Sequence, residues 1–149
     1  MQFMQRYLKS RRLWAGVTMI MAGSLLVMQI VPVSKNNPPV VQEPNWDSQE
    51  TAQLARAACY DCHSNETVYP WYADFAPMRV LVRNHVNEGR STLNFSNIQR
   101  RVDVNEIVSV IKEGEMPPWD YQLMHPNARL TDSQRSQLAD GIIRTFKQG

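Results

Sequence analysis

From Leu13 to Val33 the chain reads LWAGVTMIMAGSLLVMQIVPV, 21 residues without one ionisable side chain. In hydrocarbon the backbone N–H and C=O groups must be paired within the segment, so a lone run of this kind has one available structure, the α-helix. At 1.5 Å per residue the run reaches about 30 Å, the thickness of a bilayer's apolar core. Residues 13–33 are therefore expected to form a single transmembrane signal-anchor. A cleaved signal peptide shares the basic start, but its apolar region is shorter, about 7 to 15 residues, and ends at a small-x-small site. The sequence VMQIVPVSKNN offers poor small residues, and no cysteine follows the run to receive a lipid. Residues 1–12 carry Arg6, Lys9, Arg11 and Arg12 with no acid, a basic flank that stays cytoplasmic and sends everything after Val33 across the membrane. The expected location is the inner membrane, single-pass, with the remaining chain on the periplasmic side.

That flank also accounts for the basic balance. Its charge of +4 exceeds the +2 of the whole chain, and residues 49–149 hold 11 Lys and Arg against 12 Asp and Glu. Without a basic stripe to follow a phosphate backbone, nucleic-acid binding is not expected. Residues 34–46, with three prolines and three asparagines, read as an extended linker lifting a domain off the bilayer. Residues 47–149 are enough for about one domain.

This domain reads as all-α, about five short helices. Four starts have the spacing of capping boxes: Asp47 with Glu50, Ser96 with Gln99, Asp103 with Glu106, and Thr131 with Gln134. Val104, Ile107, Val108 and Ile111 fall on one helical stripe, as do Leu138, Ile142 and Phe146. A further helix is expected from about Pro77 through Met78, Leu81, Val82 and His85, stopping at Gly89. Residues 64–76 and 114–130 read as long irregular connections. Gly141, inside the last helix, suggests a close helix crossing.

Both cysteines lie in Cys59-Tyr60-Asp61-Cys62-His63. If a helix from Asp47 or Ser48 continues through them, Cys59, Cys62 and His63 share one face at i, i+3 and i+4. Two thiols a turn apart can add to the vinyl groups of one haem, with the next imidazole directed to its iron, and C-x-x-C-H is the spacing of c-type haem attachment. Three other chemistries want such a pair. Zinc needs four ligands, and His85 and His125 lie forty residues apart with no cysteine beside either. A redox dithiol wants a strand-helix-strand setting that is missing. A disulfide closing so short a loop restrains the unfolded chain little and leaves His63 unexplained.

A haem shell also needs a group for the far side of the iron. In EGEMPPW, residues 113–119, Gly114 ends a helix and Pro117 biases Met116 away from the helical region, leaving its thioether in a loop. Met116 is the candidate sixth ligand, and a His and Met pair raises the reduction potential relative to two histidines. His85 is the main rival, with Met78, Met124, His125 or an open site behind it. His125, before Pro126, reads as a turn residue. Pro70 or Pro77 is a candidate to offer a carbonyl to the free ring nitrogen of His63. Trp71, Tyr72, Phe75, Trp119 and Tyr121 are candidate haem-wall residues, although ordinary core aromatics have the same pattern.

The segments ACYDCHSNETVYPWY, HVNEGRSTLNFSN, IKEGEMPPWDY and HPNARLTDSQR, in this order across residues 46–146, resemble the small bacterial haem-binding domain family related to cytochromes c. The resemblance implies a cytochrome c-like helical fold and one covalent haem c, with thioether links at Cys59 and Cys62 and His63 as proximal ligand. Similarity to cytochromes c more broadly implies Met116 as the distal ligand, and the HVNEGR segment keeps His85 as a ligand or propionate contact. The expected role is a membrane-anchored electron carrier serving an unidentified redox protein. No paired carboxylates, Ser-His-Asp set or phosphate loop argue for catalysis beyond the haem. The competing class is a haem sensor or small haem enzyme for gas or peroxide, which needs a displaceable sixth ligand. A scaffolding subunit with a structural haem is the third.

Overall fold

The structure, a computed structural model, describes residues 2–30, 32–98 and 102–147. Among them are seven α-helices: α1 Gln2–Ile30, α2 Gln49–Ala58, α3 Tyr60–His63, α4 Met78–Thr92, α5 Val104–Glu113, α6 Trp119–Met124 and α7 Asp132–Lys147. Two short 3-10 turns, Trp71–Asp74 and Pro126–Ala128, complete the regular structure, and an isolated bridge between Gln42 and Asn97 is the nearest approach to a sheet. The all-α expectation holds, with more and shorter pieces than five. The connection 114–130 is not irregular throughout, because it contains α6.

The chain divides into two compact units. The first takes the described part of residues 1–35 together with 70–83. Its main element is α1, where Arg11–Ile30 is 20 residues long, apolar enough to cross a membrane, and not buried in protein. Thr18 and Ser24 return their hydroxyls to carbonyls one turn back, Trp14 at 2.9 Å and Ile20 at 2.8 Å, so these two hydroxyls are satisfied within the helix, while the Gln29 amide pairs with the Ala76 backbone. The helix ends before Pro32. In the same unit Lys35 pairs with Asp74, and Trp71 meets Tyr72 and Phe75 edge to face.

The second unit comprises residues 36–69 and 84–149. Its core gathers Ala55, Tyr60, Phe95, Ile111, Leu138 and Ile142 from α2, α3, the segment after α4, α5 and α7. Helices α2 and α7 pack without a spacer. A Cβ placed on Gly141 would lie 2.1 Å from Thr51 Oγ1 and 2.5 Å from its Cγ2, so only glycine permits this approach. The same two helices are tied at one end by Asp47, which accepts from Arg144 Nε at 2.6 Å and donates its N–H to Thr145 Oγ1 at 3.1 Å.

The caps only partly follow the sequence reading. Thr131 and Gln134 form the full reciprocal box, Thr131 N–H to Gln134 Oε1 at 2.9 Å and Gln134 N–H to Thr131 Oγ1 at 3.2 Å. Asp103 caps α5 through the Asn105 and Glu106 N–H groups. The cap of α2 is Ser48 rather than Asp47, whose carboxylate is held by α7 instead. Ser96 lies in a turn and gives its oxygen to the Asn65 N–H at 2.9 Å, while its expected partner Gln99 lies outside the described residues. Helix α4 runs through Gly89 to Thr92 instead of stopping there.

Residues 36–46, read from the sequence as a tether, run extended across the second unit. Val41 and Gln42 donate to the Ser96 carbonyl at 2.8 and 3.1 Å, and Ile98 returns a bond to Gln42 at 3.2 Å. The Asn65 amide reaches Pro39 O at 2.9 Å, and Tyr60 and Arg56 both donate to Glu43. The fixing side chain is Arg90, whose guanidinium donates to Asn36 O, Asn37 Oδ1 and Ser64 O, each at 2.7 Å, and to Thr67 Oγ1 at 2.9 Å. The prolines suit such a strap, because they fix an extended backbone and remove donors it cannot pair.

Candidate functional site

The turn carrying both cysteines is separate from α2. The helix stops at Ala58, Cys59 adopts φ −124° and ψ −36°, and α3 is a single turn. The i, i+3, i+4 spacing nevertheless survives locally, because the Cys59 carbonyl accepts from both Cys62 N–H at 3.2 Å and His63 N–H at 2.8 Å. Cys59, Cys62 and His63 therefore share one turn without requiring a continuous helix. Both thiols are free of disulfide bonding.

Residues 93–96 brace the turn from behind. The Leu93 carbonyl lies 3.2 Å from His63 Nδ1, and Phe95 N–H donates to His63 O at 2.8 Å. A carbonyl can only accept, so Nδ1 carries the proton and Nε2 keeps its lone pair, the state a metal-binding imidazole needs. The sequence expectation of a Pro70 or Pro77 carbonyl is thus corrected: α4 brings its own C-terminal carbonyls to the ring. Burial lowers the His63 pKa, against carbonyl hydrogen bonds from Leu93 and Gly89 that raise it, and the net direction favours the neutral ring.

Gly89 is the structural reason α4 can come so close. A Cβ there would lie 2.4 Å from the Cys62 carbonyl oxygen and 3.0 Å from Cys62 Cβ. The thiols themselves are protonated at neutral pH. Burial, then the neighbouring Cys62, pushes Cys59 up to about 12; burial, then Asp61, with Asp120 adding and Arg90 opposing, pushes Cys62 up to about 11. A redox dithiol needs a depressed thiol pKa, so this environment disfavours that chemistry. Zinc fares no better, since no cluster of three His, Cys, Asp or Glu able to hold a metal occurs among the described residues. The donor set fits a haem: two neutral thiols and an oriented imidazole on one turn.

Met116 follows Gly114, whose φ of +77° ends α5 in the left-handed conformation. Its N–H donates to Val110 O at 3.1 Å and its carbonyl accepts from Arg135 Nη1 at 3.4 Å, while the residue is 38% exposed. The backbone is fixed at both its N–H and its carbonyl. The structure brings this loop to the cysteine turn through a contact with no sequence signature: Tyr121 Oη donates to Asp61 Oδ2 at 2.7 Å. His85 sits one turn before Gly89 on α4, the helix whose far end holds Nδ1 of His63. His125 ends α6 and stacks on Tyr121 with ring centroids 4.0 Å apart, in keeping with a turn residue. Of the candidate wall aromatics, Trp119 is 75% exposed beside Met116, and Tyr121 is engaged with Asp61. Trp71, Tyr72 and Phe75 belong to the first unit.

In comparison with known families, the model of a family described as a haem-binding domain matches residues 23–144. No curated protein and no solved structure matches the chain.

Proposed function

The chain belongs to the haem-binding domain family, and on that premise we propose that it is a membrane-anchored c-type cytochrome carrying electrons on the periplasmic side. The observation that supports this most is the single turn on which Cys59, Cys62 and a tautomerically fixed His63 stand together. Cys59 and Cys62 would hold one haem c by thioether bonds, and His63 Nε2 would ligate its iron. When bound, the haem supplies a one-electron couple. The chain's contribution is to orient the imidazole through Leu93 O, to keep that ring neutral by burial, and to set the strength of the opposite donor.

Met116 is the better candidate for that donor. The end of α4, the helix that carries His85, is already engaged with His63 through Nδ1, which supports Met116 over His85 for the opposite donor. The Met116 loop reaches the cysteine turn from elsewhere, through Tyr121 and Asp61. The anchor reading draws on the apolar length of Arg11–Ile30 and the basic residues before it.

The test uses the full-length protein produced with haem-attachment machinery. The mass should rise by one haem, and the gain should be lost in Cys59→Ala with Cys62→Ala; an unchanged wild-type mass rejects covalent attachment. A weak near-infrared sulfur-to-iron band in the oxidised protein should vanish in Met116→Ala and persist in His85→Ala. Ready carbon monoxide binding to the reduced wild type would instead favour a sensor. A reporter fused after Gly149 should be active only on the periplasmic side.

A further inference from the structure

Asp61, one of the two residues between the cysteines, ties three segments together. Its Oδ1 accepts the Val68 N–H at 2.9 Å, its carbonyl accepts Thr67 Oγ1 at 2.7 Å, and its Oδ2 accepts the Tyr121 hydroxyl at 2.7 Å. Tyr121 lies five residues beyond Met116, and the chain between them has little freedom. Pro117 and Pro118 fix two φ angles, and Gln122 Nε2 holds the Pro117 carbonyl at 2.5 Å. At its upstream end the loop is fastened to α5 and α7 by Val110 O and Arg135. At the cysteine turn it is fastened by the Tyr121 hydroxyl.

We propose that the Tyr121–Asp61 hydrogen bond is a latch that holds the Met116 loop closed, so that breaking it opens the sixth iron position to outside ligands. This inference rests on the reading of Met116 as the distal ligand. Tyr121 is a positioning residue in this proposal: its hydroxyl acts on the iron position only through the loop that carries Met116. The latch suits the job because a bond to a carboxylate is roughly twice as strong as one between neutral groups. A competing ligand binds only the open form, so its apparent affinity scales with the fraction of molecules in which the loop is open.

The probe is imidazole, titrated into the oxidised, haem-loaded full-length protein in detergent. Tyr121→Phe removes the hydroxyl and keeps the ring that stacks on His125. It should bind imidazole about tenfold tighter than wild type, equivalent to about 1.4 kcal/mol, with the sulfur-to-iron band still present before imidazole is added. Amide hydrogen exchange in residues 114–124 should quicken in the same variant. Ile142→Val, a core change that removes no hydrogen bond of the latch, controls for general loss of stability and should leave imidazole affinity unchanged. If Tyr121→Phe matches wild type in both affinity and exchange, the latch is wrong while Met116 ligation stands. If Ile142→Val tightens imidazole binding as much as Tyr121→Phe does, the effect is global softening and the latch is again wrong. A wild type without the sulfur-to-iron band removes the Met116 reading and the latch together. Should Tyr121→Phe fail to fold, Asp61→Leu in the same titration provides the second route.

Discussion

The imidazole of His63 owes its orientation to a carbonyl that no sequence pattern marks. Cys59, Cys62 and His63 are legible as candidates because thiol and imidazole are the donors the proposed haem needs, and Met116 as a candidate because Gly114 and Pro117 frame it. Leu93 contributes only a backbone oxygen, which every residue possesses, and its position depends on where α4 ends. Gly89 was legible as a glycine but misread as a stop, since close approach and helix termination call for the same residue. Its substitution gives a test at this scale. Gly89→Ala pushes a methyl to within 2.4 Å of the Cys62 carbonyl, and overpacking of this kind costs about 1 to 3 kcal/mol. Thermal unfolding should shift down accordingly, and haem attachment measured by mass should fall. A variant that melts like wild type and loads fully would show that the α4 contact on the cysteine turn is not needed.

Between elements, the α2 and α7 contact turns on a single glycine. Gly141 was expected to serve a helix crossing, and the partner that makes it obligatory is Thr51, buried at 0% exposure. Gly141→Ala gains about 1 kcal/mol of helix propensity, but the clash with Thr51 outweighs it, and a net loss of about 2 kcal/mol is expected. Thr51→Ala in the same chain should recover part of that loss, because it removes the two atoms nearest the new methyl. Denaturant titration of the wild type, Gly141→Ala and the double variant distinguishes this from an effect of glycine alone, which predicts no rescue. Asp47 ties the same pair of helices. Burial works against its charge, yet hydrogen bonds from Thr51, Arg144 and Thr145 and the charge of Arg144 prevail, holding its carboxyl below the usual range. A depressed folded-state pKa contributes stability that is complete above the unfolded value, about 3.9, and is lost as pH falls through the folded one. Asp47→Asn should therefore lower stability at neutral pH by about 1 to 2 kcal/mol and flatten the acid side of the profile below about pH 4. Parallel profiles for the two proteins would contradict this. The cap reading erred here because Asp47 and Ser48 both suit an N-cap, and the choice was made by a helix about a hundred residues away in the chain.

At the scale of the whole molecule, the folding unit that holds the cysteine turn begins earlier than composition suggests. The second unit starts at Asn36 rather than Asp47, and Arg90 joins the strap to Ser64 and Thr67 beside the site. A chain beginning at Asn36 should melt higher than one beginning at Asp47, and Arg90→Leu should expose residues 36–46 to proteolysis in the full-length protein. Equal melting of the two shortened chains would restore the tether reading. The sequence by itself determined the helical class and the candidate donors: an uncharged run compatible with one structure in lipid, donors spaced by one turn, and apolar stripes with the helical period. These are local properties, fixed by covalent spacing and side-chain identity. Only the tertiary structure decided which carbonyl orients His63, that Gly89 is a contact point, that Thr51 is the partner of Gly141, that the proline-rich segment is a strap, and that Tyr121 closes on Asp61. Each of these depends on backbone atoms or on partners distant in the chain, whose meeting is set by packing and leaves no spacing to read.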